Sequence, residues 1–429
     1  MHFVIVIGGI VLLLILIVYK MNPALALLIS SVVTGLLLGM PAVKVMSSIN
    51  DGIGNTLGGL VMVLSLGAML GKLVEDNGVA NKIVSVLVSS FKRKNIQWAV
   101  LLTGILVGIP LFYNAGFVVL IPLVFTIAAA TDLPVLYIGI PMAASLSITH
   151  GFLPPHPGPI ALATIFKANV GSTLLYGLIL SLPIAVVAGI VFPRLIIKPK
   201  SNNKHVASVS QNEQQLPSAA KSFFVALLPV ILIATGTIGS NISSSSIKIF
   251  FTFLQDPTIA LLLSVLMALF VLKLPIAKAM ETCVQGVKSI AMIILIIAAG
   301  GAFKQILIDS GIGVEISNQT AFLHLSPLFL GWIITALLRI ALGSATVAAL
   351  TASGIVLPLI SSGVSPELMV LSVGAGSLMG SHVNDTGFWM FKEYFHLNLK
   401  QTFSTWTVME SLISILGLAG VLLLNLIIH

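Results

Sequence analysis

Two stretches of an otherwise apolar chain hold histidine, carboxylate and hydroxyl groups among prolines and glycines. The first, residues 147–159, reads SITHGFLPPHPGP, and the second, residues 376–392, reads GSLMGSHVNDTGFWMFK. Imidazole and carboxylate groups can take up and release protons, while hydroxyl and amide groups can hydrogen-bond an anion. Such groups at membrane depth are functional candidates by default, because their insertion costs free energy.

Three side chains are the candidates for binding a coupling proton: Asp385, His150 and His382. A charge such as Asp385 at mid-membrane costs about 2.5–3.5 kcal/mol on insertion scales. The two histidines occupy matching positions in two similar segments of the chain. Each residue also has a structural alternative, Asp385 as a helix cap and the histidines as buried hydrogen-bond donors. Glu410 is a further intramembrane carboxylate, but it could lie near an interface or in a structural pair.

The candidates for binding a substrate are neutral groups in the breaks together with one arginine. Arg339 could hold a carboxylate through its planar guanidinium, or could extend its charge to the membrane interface. Helix N-termini in the breaks would present free N–H groups to an anion, although Ser, Thr and Asn also satisfy broken helix ends. Besides Arg339, the predicted set is Asn114, Gly116, Thr149, His150, His156, Ser344, Thr346, His382, Asn384 and Thr386.

Two other kinds of site are not predicted. No His or Cys pair has the usual zinc-ligand spacing, so we predict no metal site. No GxxxxGK[ST] phosphate loop occurs, which argues against transport driven by ATP. The single cysteine, Cys283, excludes a disulfide within one chain.

The rest of the chain must hold these groups inside a membrane. Of its 429 residues 57% are hydrophobic and 8% are charged, and the mean hydropathy is +1.12. A soluble protein carries about 25% charged residues. Since one crossing needs roughly 20 apolar residues, the sequence predicts an all-α polytopic membrane protein with about 10–12 transmembrane crossings. The Pro- and Gly-rich stretches predict discontinuous helices and re-entrant hairpins.

The distribution of basic residues predicts the orientation. Five basic residues lie within residues 72–94, and the positive-inside rule places that stretch in the cytoplasm. We therefore predict that both termini lie outside, although Lys44 then falls on the outer side. The net charge of +8 lies in short loops and does not indicate nucleic-acid binding. The predicted spans are 3–19, 23–40, 54–71, 223–239, 257–272, 290–303, 327–342 and 403–428, with further broken spans between 96 and 193.

The two halves of the chain resemble each other. Four short segments of the first half recur in the same order about 230 residues later, which is evidence for an internal repeat. The matched pairs are 75–78 with 308–311, 119–123 with 355–359, 149–151 with 381–383, and 169–173 with 398–402.

Charge predicts that the repeats are inverted. The stretch 72–94 has five basic residues, whereas its counterpart 304–327 has only Lys304, so the two would lie on opposite sides of the membrane. Inverted repeats place a transport site at their interface, here between the broken segments 113–117, 149–159, 343–348 and 381–387. The expected segments are N-terminal transmembrane helices (1–51), a first transport repeat (52–193), a cytoplasmic linker (194–221), connecting transmembrane helices (222–282) and a second transport repeat (283–429).

Four longer motifs resemble the gluconate permease family of proton symporters. They are GIPLFYNAGFVVLIPLVF, ASLSITHGFLPPHPGP, GSATVAALTASG and GSHVNDTGFWMFKEYF, within a resemblance that runs from about Gly52 to Gly417. The resemblance implies uptake of gluconate or related sugar acids coupled to proton entry. Similar members carry D-serine, so the resemblance does not fix the substrate.

The sequence departs from the family pattern at two positions. Asn114 stands where the family commonly has an acidic residue, and an amide cannot titrate in the physiological range. Another group must then carry the proton, or the coupling differs, and sodium stays open as the coupling ion. Leu342 stands where a glutamine is expected.

The expected function is secondary active import of a small hydroxy-carboxylate by proton symport in the bacterial cytoplasmic membrane. No cofactor is expected besides the proton gradient, and the expected partners are the carboxylate substrate and membrane lipid. A homodimer is left open. The alternatives are a permease for D-serine or another small carboxylate, an anion channel, and a membrane-embedded enzyme. The last lacks a nucleophile–base pair or a metal motif.

Overall fold

All regular structure in the described part of the chain is helical. The computed structural model describes residues 2–58, 60–91, 95–197, 216–242, 245–311, 325–383 and 385–428. Lipid cannot hydrogen-bond the peptide groups of these apolar segments, so each segment satisfies its own backbone as a helix. The prediction of an all-α membrane protein is confirmed.

The first half contains ten helices within its described residues. They are α1 (His2–Val18), α2 (Pro23–Leu37), α3 (Ala42–Gly58), α4 (Val61–Asp76), α5 (Val79–Ser90), α6 (Ile96–Gly108), α7 (Tyr113–Thr131), α8 (Val135–Phe152), α9 (Pro157–Phe166) and α10 (Val170–Ile196). A π-helical turn, Val187–Val191, lies inside α10.

The second half contains ten more helices in its described part. They are α11 (Ala219–Ile242), α12 (Ser245–Gln255), α13 (Pro257–Val271), α14 (Ile276–Ser289), α15 (Ala291–Asp309), α16 (Pro327–Leu342), α17 (Ala345–Val356), α18 (Pro366–Gly376), α19 (Thr386–Tyr394) and α20 (Leu399–Ile428). A 3-10 turn, Leu357–Ser362, follows α17.

Many of the apolar helices are too short to cross a membrane alone. Among the described residues five spans are long and apolar enough, or up to seven if each of two bent helix pairs forms one span. The other apolar helices have 10–17 residues, because prolines and glycines interrupt them. The number of about 10–12 crossings stays a prediction.

Burial separates an inner span from an outer one. The continuous stretch formed by α8 and α9 is 78% buried over its apolar window, against 28% for α20. Toward its end α20 exposes Leu426 (77%) and Ile427 (79%). An apolar exposed face suits contact with lipid, whereas the buried α8–α9 stretch is suited to line an internal site.

The chain breaks where the sequence predicts discontinuous helices, but the breaks are shorter. In the stretch 147–159 only the residues from Leu153 to His156 are non-helical, and Pro157 occupies the first helical position of α9. Residues 109–112, just before the predicted segment 113–117, separate α6 from α7. In the second half, Gly343 (φ +77°) ends α16 and the Ser344 side chain caps α17.

Two features of the first hundred residues differ from the expected pattern of spans and loops. The predicted third span, 54–71, is two helices, because the chain bends by 44° between α3 and α4 beside Gly58. The polar stretch 72–94 is largely helical rather than a loop, since α4 continues to Asp76 and α5 follows. Lys72 Nζ lies 2.9 Å from Asp76 Oδ1 on α4, so this basic residue forms an intrahelical ion pair. Residues 92–94 lie outside the described residues.

The two halves make matched helix contacts. In α3, a Cβ on Gly52 would lie 2.4 Å from the carbonyl oxygen of Gly301 in α15. In α14, a Cβ on Gly286 would lie 2.6 Å from the carbonyl oxygen of Ala68 in α4. Helix α3 follows α2, and helix α14 follows α13, and both preceding helices begin with a proline. The backbones approach closely at equivalent positions. The contact of α3 with α15 in this way corresponds to the contact of α14 with α4.

The ends of the two halves also match. Asn169 caps α10 by accepting the backbone N–H of Ser172 at 2.9 Å, and Asn398 caps α20 by accepting that of Gln401 at 2.9 Å. Between these points the order of helices and breaks is the same, with α6 to α10 corresponding to α16 to α20.

Candidate functional site

A cavity of about 350 Å³ lies between the two halves of the chain. Its walls come from the start of α7, the C-terminal part of α8, α15, the break between α16 and α17, the end of the break between α18 and α19, and α20. The non-helical breaks of the second half and the polar end of α8 therefore meet in one place. The predicted convergence of the segments around 147–159 and 381–387 is seen in the geometry.

An ion pair crosses one wall of the cavity. Arg339 lies in the last turn of α16, and its Nη2 donates a hydrogen bond to Oδ2 of Asp385. The Ser381 hydroxyl donates to the same oxygen, and the backbone N–H of Gly387 donates to Oδ1 at 2.9 Å. Asp385 is thus both a charged member of the site and the cap of α19, the structural alternative raised by the sequence.

Arg339 keeps donors that no described residue uses. The residue is 2% exposed, so its charge does not extend to an interface. Its Nε and Nη1 atoms are buried and have no hydrogen-bond partner among the described residues. A buried guanidinium with unused N–H groups beside a cavity is suited to hold an anion, because charge-assisted contacts to carboxylate are strong and directional.

A second carboxylate lines the same cavity. Glu410 of α20 is 1% exposed, and its Oε1 accepts a hydrogen bond from the hydroxyl of Ser147 on α8. The two residues are 263 positions apart in the chain. This contact joins the first half to the second directly at the cavity.

Aromatic side chains complete the wall beside the ion pair. The Trp406 Nε1–H donates to the Ser381 hydroxyl at 2.7 Å, and its ring lies edge-on to Tyr113 at 5.7 Å between centroids. The hydroxyl of Thr407 donates to the Ser381 carbonyl at 2.6 Å. These contacts fix the start of α20 against the break that carries Asp385.

Seven of the residues predicted from the sequence line the cavity. They are Asn114, His150, Arg339, Ser344, Thr346, Asp385 and Thr386. Gly116, Thr149, His156 and His382 do not line it. Asn384 lies outside the described residues.

The four residues away from the cavity make other contacts. Thr149 donates to the carbonyl of Leu146 at 2.9 Å, and Gly116 packs against the Leu146 side chain. The Nε2 atom of His156 lies 2.6 Å from the carbonyl oxygen of Gly108, and its ring is 5.4 Å from that of His150. His382 has a buried Nδ1 with no partner in the described part of the chain.

The predicted set omitted several lining residues. Tyr113, Ser147, Trp406 and Glu410 line the cavity. The sequence carried a signal for two of them, since Ser147 opens the first polar stretch and Glu410 is an intramembrane carboxylate. The aromatic residues carried none, because an apolar ring in an apolar chain does not stand out. Over the described residues no group of three or more His, Cys, Asp or Glu side chains could hold a metal ion.

Comparison with known proteins identifies the family. The model of the GntP family permeases matches residues 1–427. This chain belongs to the GntP permease family. Such proteins are membrane permeases, so the chain is a multi-pass transporter and not an enzyme.

Individual relatives of this permease match over their full length. The chain is 48% identical to the Gnt-II system L-idonate transporter of Escherichia coli K12, with 100% of both chains covered. It is 49% identical to a high-affinity gluconate transporter of the same organism over 99% of each chain. It is 44% identical to the gluconate permease of Bacillus subtilis 168 over 100% of each chain.

Solved structures share the fold. The Alcanivorax borkumensis YdaH transporter superposes with a TM-score of 0.66 at 16% identity, covering 90% of this chain and 89% of that one. Neisseria gonorrhoeae MtrF gives a TM-score of 0.62 at 16% identity, covering 89% and 84%. The permease therefore has the helical architecture of these transporters.

Proposed function

We propose that this GntP-family permease imports gluconate or a closely related sugar acid by proton symport across the bacterial cytoplasmic membrane. The observation that carries the proposal is Arg339, a buried guanidinium with two unused donor atoms at a cavity otherwise lined largely by neutral groups. The relatives named as gluconate and L-idonate transporters support the same class of substrate.

The chemistry of the wall fits a polyhydroxy acid. The carboxylate of the substrate would bind the free N–H groups of Arg339, and its hydroxyls would bind Asn114, Ser344, Thr346 and Thr386. The cavity volume of about 350 Å³ is near the lower end of ordinary ligand pockets, about 300–1,000 Å³, which suits a small ligand.

We infer the coupling mechanism from the ion pair. The carboxylate of Asp385 lies at one edge of the Arg339 guanidinium. A proton bound to Asp385 removes its negative charge and leaves the arginine free for the substrate carboxylate. Proton and anion then bind cooperatively, because each favours the same state of the pair. His150 and His382 are further candidates in a proton relay, since each has a buried Nδ1 without a partner in the described residues.

Alternating access would follow from two inverted repeats. Matched contacts of α3 with α15 and of α4 with α14 support a repeat that includes the helices beginning at Pro23 and Pro257. These helices precede the repeat boundaries proposed at 52 and 283, so the proposed transport repeats extend toward the N-terminus of each half. The cavity lies where the halves meet, as expected for movement of one bundle against the other. We propose that residues 194–221 form a cytoplasmic linker and that both termini lie outside.

Uptake into proteoliposomes tests the proposal. Purified permease is reconstituted, and labelled gluconate, L-idonate and D-serine are offered under an imposed proton gradient, an imposed sodium gradient, or neither. The proposal predicts that gluconate or L-idonate accumulates above its external concentration only with the proton gradient. Accumulation with the sodium gradient alone would show that sodium, and not the proton, is the coupling ion. Equilibration without accumulation under any gradient would indicate a channel. Preference for D-serine would overturn the substrate class.

A further inference from the structure

Glu410 differs from Asp385 in having no cation beside it. Within the described residues no Lys, Arg or His nitrogen lies within 4.0 Å of its carboxyl oxygens, whereas Asp385 pairs with Arg339. The hydroxyl of Ser147 is the hydrogen-bond partner of Glu410 in the described structure. Glu410 is 1% exposed, so little of its carboxyl group is open to water that could stand in for a countercharge.

The groups facing Glu410 across the cavity do not supply that charge. Tyr113 from α7 and His150 from α8 are neutral in their ordinary forms, and the charge of Arg339 from α16 is balanced by Asp385. An isolated ionised carboxylate is so costly to bury that the group takes up a proton instead. The environment of Glu410 is that of a neutral carboxylic acid.

We propose that Glu410 keeps its proton throughout transport and binds the sugar acid as a neutral hydrogen-bonding group, which makes it a specificity-determining residue. The proposal rests on the proposed function, sugar-acid transport through this cavity. A protonated carboxyl offers one O–H donor as well as acceptor oxygens. With Oε1 bound to Ser147, the second oxygen is available to a hydroxyl of the substrate.

The charge balance of the cavity supports this assignment. In the empty site Arg339 and Asp385 cancel each other. In the loaded site the substrate carboxylate cancels Arg339 while Asp385 carries the coupling proton. A neutral Glu410 leaves the cavity without net charge in both states. An ionised Glu410 would add an uncompensated negative charge to both, which a buried site disfavours.

Two carboxylates in one cavity would therefore have different roles set by their surroundings. The Asp385 charge is stabilised by Arg339, Ser381 and the N–H of Gly387, so this residue can alternate between charged and neutral forms. Within the described residues Glu410 has one neutral partner, Ser147. Protein sites assign different proton roles to chemically similar groups by giving them different surroundings.

Transport by Glu410→Gln and Glu410→Leu, compared with Asp385→Asn, tests the proposal. Glutamine keeps a donor and an acceptor, so we expect KM to rise about threefold or less, while the proton-driven accumulation ratio and its pH dependence stay as in the parent protein. Leucine removes both functions, and we expect KM for gluconate to rise about tenfold or more. If Glu410→Gln loses accumulation but keeps exchange, Glu410 carries the coupling proton and the proposal is overturned. A parental KM in Glu410→Leu would overturn it as well.

Infrared spectroscopy of the full-length permease in lipid tests the protonation state directly. The carbonyl stretch of a protonated carboxylic acid should be present in the parent and in Asp385→Asn, and should be lost in Glu410→Gln. Added gluconate should shift this band without removing it. A band that is absent, or that disappears with gluconate, would overturn the proposal. If gluconate is not transported at all, the proposed function fails, while the band still reports the state of Glu410.

Discussion

The break between α8 and α9 and the break between α18 and α19 have the same position in the order of helices but different chemistry. The break between α8 and α9 consists of Leu153 to His156, and its histidine bonds the carbonyl of Gly108. The break between α18 and α19 carries Asp385, which pairs with Arg339. Within the described part of the chain, no residue of the first break lines the cavity.

This difference shows how a repeated architecture can carry an asymmetric site. The first half supplies neutral groups, Asn114, Ser147 and His150, while the second supplies all three charged or chargeable side chains of the ion pair and α20. The substrate hydroxyls would bind neutral groups from both halves, whereas the carboxylate and the coupling proton would bind side chains of the second half. The matched contacts of the remaining helices then bring these side chains of the two halves together at the cavity.

The largest effect is expected from Arg339→Gln. The substitution removes the proposed carboxylate ligand and leaves Asp385 buried without its cation, so gluconate uptake should fall at least about a hundredfold. Initial uptake rates, normalised to the amount of permease in the membrane, measure it. Arg194→Gln is the matched control, because Arg194 is exposed and its Nε donates to Gln97 at 2.8 Å, away from the cavity. An unchanged KM for gluconate in Arg339→Gln would show that Arg339 does not bind the substrate carboxylate.

The next effect separates coupling from binding. Asp385→Asn cannot exchange a proton, so gradient-driven accumulation of gluconate should be abolished while exchange of internal for external substrate persists. Counterflow and net uptake in the same proteoliposomes measure the two activities. Asp256→Asn is the control, since Asp256 is an exposed cap of α13 and asparagine caps equally well. Intact accumulation in Asp385→Asn would show that another group carries the proton.

The symmetric part of the comparison predicts equal effects in the two halves. Gly52→Leu and Gly286→Leu each force a side chain against a facing backbone carbonyl. Each should lower the melting temperature of the purified permease by a similar amount, on the order of 5 °C. Gly54→Ala is the control on the same helix α3, where nothing lies within 4 Å of an added Cβ. A large loss for one substitution and none for the other would contradict the matched packing.

The smallest effect is expected from one hydroxyl in the wall. Thr346→Val keeps the shape of the side chain but removes one hydrogen bond to the substrate, so KM for gluconate should rise about fivefold with little change in maximal rate. Thr351→Val is the control, because Thr351 lies on α17 as well but its buried hydroxyl has no partner in the described residues and does not line the cavity. Equal KM values for the two variants would exclude Thr346 from the site.

Sequence reasoning reached the fold class and several residues of the wall, for physical reasons. A charged or helix-breaking residue in an apolar chain has few acceptable positions, so the residue types alone placed Asp385 and Ser344 at breaks. The same logic predicted the non-helical residues near Pro154 and Gly343.

Other features could not be read from the chain. The contact between Ser147 and Glu410 joins residues 263 positions apart, and no local pattern encodes such a pairing. The bend beside Gly58 falls inside an apolar run, where hydropathy alone predicts continuity. Thr149 and His156 looked suited to bind substrate because of their types, but their side chains satisfy backbone carbonyls instead.

The central claim is that one substrate site is lined by both halves of the chain, and thiol protection tests it most directly. In a Cys283→Ala background, Asn114→Cys places a thiol on the first half and Thr386→Cys places one on the second, both at exposed positions of the cavity wall. Ser404→Cys, exposed on α20 and outside the lining, serves as the control. We predict that gluconate slows modification of both cavity thiols by a small water-soluble reagent, with the same half-maximal concentration, and leaves the control unaffected. Protection of only one thiol, or of neither, in variants that still transport gluconate would contradict the account.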